Sequence, residues 1–563
     1  MGHPKVKLTP IIIRAQVARH DAHWAKQRGR LRLYRHAYET KYWDQQALAD
    51  NTLTIETSRA YEYIEGYVAS LFSRNPSVVL QDDLRGRGDA AKAAALANGF
   101  LSDTRRCLED ASRCALIYPS AAVKLSPVPH TDPFKRVDCS VIVPWDLILD
   151  LDAHDWNRQR FVCHRYWVPL DVAKKRWGSK EYSPVSRKEW LDADNKDQPR
   201  SGDTDYDQFL QVCEVYDMVG DRLLVWSEQY GDGEKWLYDG IEIEDGNGQK
   251  VKITRIPFRD VSDHPVIPIA PLYYNRLPYA PLQGYAAMSR VYDQIREYNI
   301  LRTFQANAVR KAARQWFVRE GVLGPEGMAR IAAGVDGEFI SVDLPPGQSL
   351  SDVAQPVAHT PTPPETYQYL QAVQSDFERG SVLAPFTRGD ATKATATEIT
   401  ALAAYSSSEV GRLARERDAM VEELARIYLS MVRLYLSEGD PDLLLLNGKA
   451  EVLSPEDLDG DFRIYAQDGG ATPVSEAAKK AELVQIAPLL LQLGVPQADV
   501  LAELVRQYDL PKTFQAPPAP PAQPGPPVGA GPPPEDPGTL GIGPGEQPSP
   551  EQIKAVLPAG GVV

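Results

Sequence analysis

Long apolar runs and cysteine are the two things this sequence has least of. It has no run of about 18 or more apolar residues, the length that predicts a membrane-spanning helix. The apolar patch near the start covers only residues 11–13, too short for the core of a signal peptide. The five cysteines are an odd number and form no C-x-x-C pair. These absences predict neither a disulfide framework nor structural zinc, and they favour assembly in a reducing cytoplasm.

Nucleotide-binding and catalytic signatures are missing as well. The sequence contains no G-x-x-x-x-G-K-[ST] loop, no G-x-G-x-x-G after a strand, no H-E-x-x-H and no G-x-S-x-G. It therefore predicts no cofactor and no enzymatic activity. If the protein serves an energy-consuming process, another chain has to hydrolyse the nucleotide.

Positive charge is in deficit too. The formal net charge of −14 argues against tight wrapping of nucleic acid by the whole surface. It does not exclude a path along which DNA must slide. The length of 563 residues exceeds what one hydrophobic core usually serves, so two to four subdomains are expected.

What the sequence does have is one very long predicted helix. Thr395 and Glu398 have capping-box spacing, and from there to Leu436 there is no proline and only one glycine, Gly411. These 42 residues would span about 63 Å. Apolar residues recur along one face, interrupted only by Arg417: Val410, Leu413, Met420, Leu424, Ile427, Met431 and Leu434. A strut of this length favours a structural machine over a pocket enzyme.

The rest of the chain alternates helices with β-rich segments. Residues 120–275 carry short β-rich runs separated by hairpin signals, which predicts an antiparallel meander set among helices, an α+β class. Further helices are predicted at about 51–75, 88–117, 282–314, 364–383 and 473–508. Between residues 516 and 550, 14 of 35 residues are proline and 7 are glycine, the composition of a disordered tail.

Residues 1–46 are helical in pattern and basic, with ten Lys or Arg against Asp21, Glu39 and Asp44. Such an arm can bind phosphate or anionic lipid. The other interpretation is a helix face that docks on an acidic neighbour. Within this arm, His20 and His23 share a helical face, but no carboxylate or cysteine ligand lies beside them, so a metal role is not expected.

An acidic run in PWDLILDLDAHDWN offers the main metal-site hypothesis. Its residues are Asp146, Asp150, Asp152 and Asp155, together with His154. Carboxylate oxygens suit Mg²⁺, but alternate residues of one extended run face opposite sides, so the four cannot converge without a tight loop. A solvated or inter-subunit acidic loop is the favoured reading.

Two basic features are candidates for contact with DNA. The loop at 385–395 carries Arg388 and Lys393 beside Thr392, and it could touch a phosphate backbone without reading bases; a plain exposed loop is the equal alternative. The helix at about 282–314 carries Arg290, Arg296, Arg302, Arg310, Lys311 and Arg314. Their spacing does not keep one face, so ion pairing with acidic helices is equally good.

The order of these segments resembles the portal proteins of tailed double-stranded DNA bacteriophages. Three blocks carry the resemblance: VPWDLILDLDAHDWNRQRFVCHRYWVPLDVAKKRWG, IPIAPLYYNRLPYAPLQGYAAMSRVYDQIREYN, and ATKATATEITALAAYSSSEVGRLARERDAM at the start of the long helix. It runs over about residues 10–510, and the joint order of the blocks is its specific part.

The resemblance implies a ring, usually of twelve copies, at one capsid vertex, through which double-stranded DNA is packaged and ejected. The implied partners are further copies of the chain, the terminase large subunit, the head-tail adaptor, the major capsid protein, scaffold, and DNA without sequence specificity. No membrane partner is implied. The implied location is the virion, after assembly in the host bacterial cytoplasm.

The implied organisation divides the chain into named parts. They are a basic N-terminal helical arm at 1–46, a wing at 47–280, a stem helix at 281–316, a clip at 317–363, a second stem helix at 364–384, a tunnel loop at 385–395, the long wing helix and insert at 396–472, a helical crown at 473–510, and a disordered tail at 511–563. The clip shows no pattern that aligns with the family, and the arm and tail have no general counterpart.

Two other functions stay open: a metal-dependent nuclease or hydrolase that uses the acidic run, and a different virion component such as an adaptor or tail protein.

Overall fold

Helices and antiparallel strands alternate along the chain in the computed structural model. It describes residues 8–43, 53–81, 88–130, 133–153, 155–187, 190–192, 208–239, 241–244, 250–253, 255–260, 262–277, 280–312, 316–318, 325–326, 329, 347, 349, 354–356, 364–381, 396–437, 442–446, 449–460 and 462–467. All of them belong to one unit of the chain, Met1–Ala481. The predicted crown, tail and tunnel loop lie outside the described residues.

The helices of the described part are α1 (Pro10–Ala25), α2 (Arg28–Tyr38), α3 (Arg59–Leu71), α4 (Ala90–Asp103), α5 (Arg105–Ile117), α6 (Leu170–Trp177), α7 (Tyr292–Ala312), α8 (Pro364–Ser381) and α9 (Ala396–Ser437). Among them, no helix is both long and apolar enough to cross a membrane.

The strands are β1 (Val78–Gln81), β2 (Ala121–Pro127), β3 (Val137–Ile142), β4 (Leu147–Leu149), β5 (Phe161–Pro169), β6 (Phe209–Asp217), β7 (Arg222–Trp226), β8 (Trp236–Tyr238), β9 (Ile241–Glu244), β10 (Lys250–Ile253), β11 (Ile269–Leu272), β12 (Arg276–Leu277), β13 (Ala280–Gly284), β14 (Trp316–Val318), β15 (Ala354–Pro356), β16 (Asp442–Leu446), β17 (Lys449–Leu453) and β18 (Arg463–Ala466). The class is therefore α+β, as the sequence predicts.

Two antiparallel sheets form the β-rich part. The larger has strand order β4-β5-β6-β7-β8, and its central pair runs in register from Phe161 opposite Asp217 to Pro169 opposite Phe209. The smaller has order β11-β2-β3. Two-stranded ribbons complete the set: β1 with β18, β9 with β10, β12 with β13, β14 with β15, and β16 with β17. The predicted meander is confirmed for the larger sheet.

The 42-residue helix α9 is the spine of the main core. Its predicted stripe is buried at Val410, Leu413, Met420, Leu424, Ile427 and Met431, with Leu434 packed at the margin. Arg417, which breaks the stripe, is also buried, and its guanidinium donates to the carbonyl of Leu71 and to Asp418. Leu71 is the last residue of α3, where carbonyls lack helical partners. The buried guanidinium of Arg417 therefore bonds to a carbonyl group at the C-terminal end of α3 that has no partner within its own helix.

Helices α7 and α8 run antiparallel beside each other. A methyl group placed on Gly380, near the end of α8, would lie 3.5 Å from the carbonyl oxygen of Arg290, just before α7. Further along, the hydroxyl of Tyr369 donates to Glu297. At 21 residues, α7 is about 31 Å long. The expected pair of long helices around 300 and 370 is thus present.

Three predicted helix boundaries are wrong. The stretch 88–117 forms two helices because Thr104, between them, donates its hydroxyl to the carbonyl of Phe100 and bends the backbone. The helix expected at about 51–75 is shorter, Arg59–Leu71, because the backbone amides of Leu53 and Ile55 donate to side chains of α7 instead. The helix expected from about 282 begins at Tyr292, because residues 280–284 pair with β12; Pro281 favours extended backbone before it.

Candidate functional site

The candidate site is the helix pair α7–α8 together with its base on α9. The tunnel-loop residues Arg388, Thr392 and Lys393, which would adjoin it in sequence, lie outside the described residues. Of the six predicted stem cations, Arg290 precedes α7 in a 3-10 turn, and Arg296 and Arg302 lie exposed on α7. Arg310 and Lys311 belong to the last turn of α7, while their side chains and Arg314 lie outside the described residues.

Arg290 is committed to the base of the helix pair. Its guanidinium donates to Glu409 on α9 at 2.9 Å, to the Asn275 side-chain oxygen at 3.0 Å and to the Tyr285 hydroxyl at 2.8 Å. Arg412 converges on the same groups, with 2.8 Å to Glu409 and 3.0 Å to Asn275. We call this set the Glu409 junction. It ties α9, the turn before β12 and the start of α7 together.

The electrostatics of the junction follow from this double contact. The hydrogen bond from Arg412, joined by the one from Arg290, lowers the pKa of Glu409 to about 2 although burial opposes the shift. Glu409 therefore stays ionised at neutral pH and holds both guanidinium groups. For Arg290, the ion-pairing interpretation left open by the sequence is the one the structure favours.

An extended segment covers a second side of α7. The Leu53 amide donates to Asn307 at 3.0 Å and the Ile55 amide to Thr303 at 2.9 Å, while the Thr57 hydroxyl donates to Asn299 at 2.8 Å. Asn299, Thr303 and Asn307 stand four residues apart and so share one helix face. This ladder is not predicted above, although the four-residue spacing of its polar side chains in the sequence of α7 is a usable signal.

A third side of α7 stays uncovered in the described part of the chain. Arg296, Ile300 and Phe304 also follow at four-residue spacing, and Ile300 is 45% and Phe304 59% exposed. We call these three residues the open face of α7. An isolated exposed apolar residue is ordinary, but two in line on one helix face are typical of an interaction surface.

The acidic run is neutralised by arginines. Asp150 is fully buried, and both of its carboxylate oxygens accept hydrogen bonds from the guanidinium of Arg160. The longer of these two bonds is 2.9 Å. Asp146 lies 3.3 Å from Arg165, whose guanidinium also donates to Asp21 at 2.9 Å. Asp152 pairs with Arg19 and with Arg160, and Asp155 pairs with Arg158. His154 lies outside the described residues, and within the described ones no group of three or more potential metal ligands occurs.

Ion pairs and one buried apolar residue fix the position of α1, the first helix of the basic arm. Arg14 lies 3.2 Å from Glu228, Arg19 lies 2.9 Å from Asp152, and Ile13 is buried against the larger sheet. Helix α1 thus docks on an acidic neighbour within its own chain. Of the two interpretations that the sequence left open, the structure favours this one for α1.

A buried charge cluster that is not predicted above joins the two sheets. Lys124 on β2 lies 3.0 Å from Glu214 on β6 and 3.2 Å from the Nδ1 atom of His164 on β5. The hydroxyl of Tyr216 also donates to Glu214. Despite burial, the positive charge of Lys124 and these hydrogen bonds lower the pKa of Glu214 to about 2. A charged residue inside each apolar strand was the available signal.

Comparisons with solved structures give distant likenesses, of which one is described here. No protein-family model matches the chain, and no curated protein matches it. Among solved structures, the chain is similar to a component described as the neck of an empty GTA particle computed with C6 symmetry, at 12% identity and a TM-score of 0.35. That likeness covers 81% of this chain and 90% of the other. At such a TM-score it carries no argument about function.

Proposed function

We propose that this chain is the subunit of a bacteriophage portal, a homo-oligomeric ring at one capsid vertex that conducts double-stranded DNA. In this proposal the ring docks the terminase motor during packaging and the head-tail adaptor afterwards, and it has no enzymatic activity of its own. The proposal extends the sequence resemblance carried by the three blocks described above.

The observation that carries the proposal is the construction of the helix pair. The Glu409 junction fixes the start of α7 to α9, and α8 packs against α7 through the contact of Tyr369 with Glu297. The open face of α7 presents Arg296, Ile300 and Phe304 with nothing described against it. A ring closes when each copy offers two different faces to its neighbours. The open face supplies one such surface at a fixed position.

Net charge supports a conduit for DNA. Each phosphate that a protein neutralises releases counterions and adds affinity, so a bore that moves DNA should bind phosphates sparingly. A chain of charge −14 repeated around a ring gives a largely repulsive wall. Exposed cations such as Arg302 then provide local and weak contacts.

The first experiment measures the mass of the purified protein by light scattering and images it by negative stain. A ring of twelve copies of 62.4 kDa has a mass of about 750 kDa. The double variant Ile300→Asp/Phe304→Asp should shift the protein toward the single-subunit mass, because it buries two carboxylates in the contact.

A matched control is Val219→Asp, which adds a carboxylate at a side chain that is 48% exposed in the turn between β6 and β7. It should leave the ring intact. Circular dichroism checks that all variants keep their helices. A wild-type protein that stays at the mass of one subunit at every concentration would contradict the proposed ring. A ring that forms in the double aspartate variant would contradict the proposal that the open face is a contact between subunits.

The enzymatic alternative has less support. In the acidic run the described carboxylates are paired with Arg160, Arg165, Arg19 and Arg158, and the described residues contain no group of three potential metal ligands. Incubation of the protein with DNA and Mg²⁺ separates the two functions. We expect intact DNA; turnover that Asp150→Asn removes would favour the nuclease.

A further inference from the structure

Two cysteines that are far apart in sequence meet between a helix and a sheet edge. Cys107 lies in the first turn of α5, and Cys139 lies in β3, an edge strand of the smaller sheet. Their Sγ atoms are 2.7 Å apart, and the Cys139 thiol donates to the Cys107 sulfur. A disulfide bond is about 2.05 Å long, so the sulfurs need to approach by about 0.7 Å.

The two thiols differ from the other three in access to solvent. Cys107 and Cys139 are half-buried, whereas Cys114, Cys163 and Cys213 are buried. Cys163 and Cys213 lie on the adjacent strands β5 and β6, but their exposed fractions are 0% and 1%. A small oxidant therefore reaches one of the two cysteine pairs and not the other.

We propose that Cys107 and Cys139 form a disulfide when the protein meets a low-molecular-weight disulfide oxidant such as oxidised glutathione. The Cys107 thiolate, which accepts the hydrogen bond, attacks one glutathione sulfur and releases the other glutathione as a thiol. The Cys139 thiolate then attacks the Cys107 sulfur of this mixed disulfide and releases the second glutathione. Together the two protein thiols lose two protons and two electrons, and oxidised glutathione becomes two molecules of the reduced form.

The bond would lock the packing of α5 against β3. Both elements border the main core, and the crosslink closes a loop of about 32 residues. Closing a loop of this size restricts the unfolded chain and so raises the unfolding temperature. The site thus gives the protein a reversible stabilisation in an oxidising medium, and it holds whether or not the protein is a portal.

The test exposes the full-length native protein to oxidised glutathione in excess over its thiols, so that thiol–disulfide exchange can proceed. After alkylation of the remaining thiols, peptide mass spectrometry should find three alkylated cysteines and one linked peptide pair that contains Cys107 and Cys139. The unfolding temperature should rise by on the order of 5 °C and return on reduction.

Two variants sharpen the result. Cys107→Ser should abolish the link and the thermal shift, while Cys114→Ala, two turns along the same helix, should keep both. Cys139→Ser provides a second route if Cys107→Ser does not fold. Five alkylated cysteines, a stable glutathione adduct without the link, or a link between Cys163 and Cys213 would each overturn the proposal.

Discussion

At the scale of single residues, the buried charges decide how the protein responds to pH. Burial, with the nearby charge of Lys124, lowers the pKa of His164 to about 3. Burial and the charge of Arg165 likewise lower the pKa of His20 to about 3. Both imidazoles are therefore neutral in the folded state, while in the unfolded chain they protonate near pH 6.5. Their contribution to stability is complete above pH 6.5 and is lost as the pH falls toward 3.

We therefore expect His164→Gln to reduce the acid sensitivity of the protein. Between pH 7 and pH 5, the wild type should lose about 2 kcal/mol more unfolding free energy than the variant, because the unfolded-state His164 takes up a proton in that range. Urea titrations at the two pH values measure the difference. Burial raises the pKa of Asp146 to about 6, which acts in the opposite direction, but this group is present in both proteins.

The control for this prediction is His264→Gln. The side chain of His264 is 76% exposed, so this variant makes the same imidazole-to-amide change away from the buried charge cluster. An equal loss of stability on acidification in the wild type and in His164→Gln would contradict a neutral buried His164.

At the scale of elements, two glycines differ in whether the structure has room for a side chain. Gly411 lies inside α9, and a methyl group there would meet nothing within 4 Å. Gly284 ends β13, where a methyl group would collide with the carbonyl oxygen of Pro119. Glycine is therefore dispensable in the long helix and required where two backbones approach closely.

Replacement of each glycine by alanine should separate these roles. Gly411→Ala should stabilise the protein by about 0.5–1 kcal/mol, because alanine costs less backbone entropy in a helix. Gly284→Ala should destabilise it by about 1–3 kcal/mol through overpacking. Urea denaturation of both variants measures the two shifts. A loss of stability in Gly411→Ala would indicate that α9 is not continuous at this position.

At the scale of the whole molecule, the tunnel-loop hypothesis is a prediction from the sequence and the proposed ring. The double variant Arg388→Ala/Lys393→Ala should alter DNA packaging or retention without preventing ring assembly, because it removes two cations that would contact phosphates in the bore. Packaging efficiency in an assembled particle measures the first effect, and the mass of the purified protein measures the second.

The matched control removes the same charge from the β-rich region. Arg158 and Lys174 are both exposed there, and Arg158→Ala/Lys174→Ala should leave packaging unchanged. Normal packaging in the loop variant would count against contact between the tunnel loop and DNA.

The sequence by itself determined the α+β class, the meander of the larger sheet, the 42-residue helix α9 and the presence of α7 and α8. These follow from local signals: apolar periodicity, hairpin residues and the absence of proline act over a few neighbouring positions. The same reasoning failed at boundaries such as Thr104 and Tyr292, where a hydroxyl contact or a strand pairing stops a helix.

Only the tertiary structure decided which charges and thiols meet. Lys124 and Glu214 are 90 positions apart, Arg290 and Glu409 are 119 apart, and Cys107 and Cys139 are 32 apart, so no local pattern links them. Each pair exists because separate elements pack into one core and bring their side chains within hydrogen-bond distance. For this reason the acidic run, which in sequence is a possible ligand set, becomes a row of ion pairs once arginines from α1 and β5 reach it.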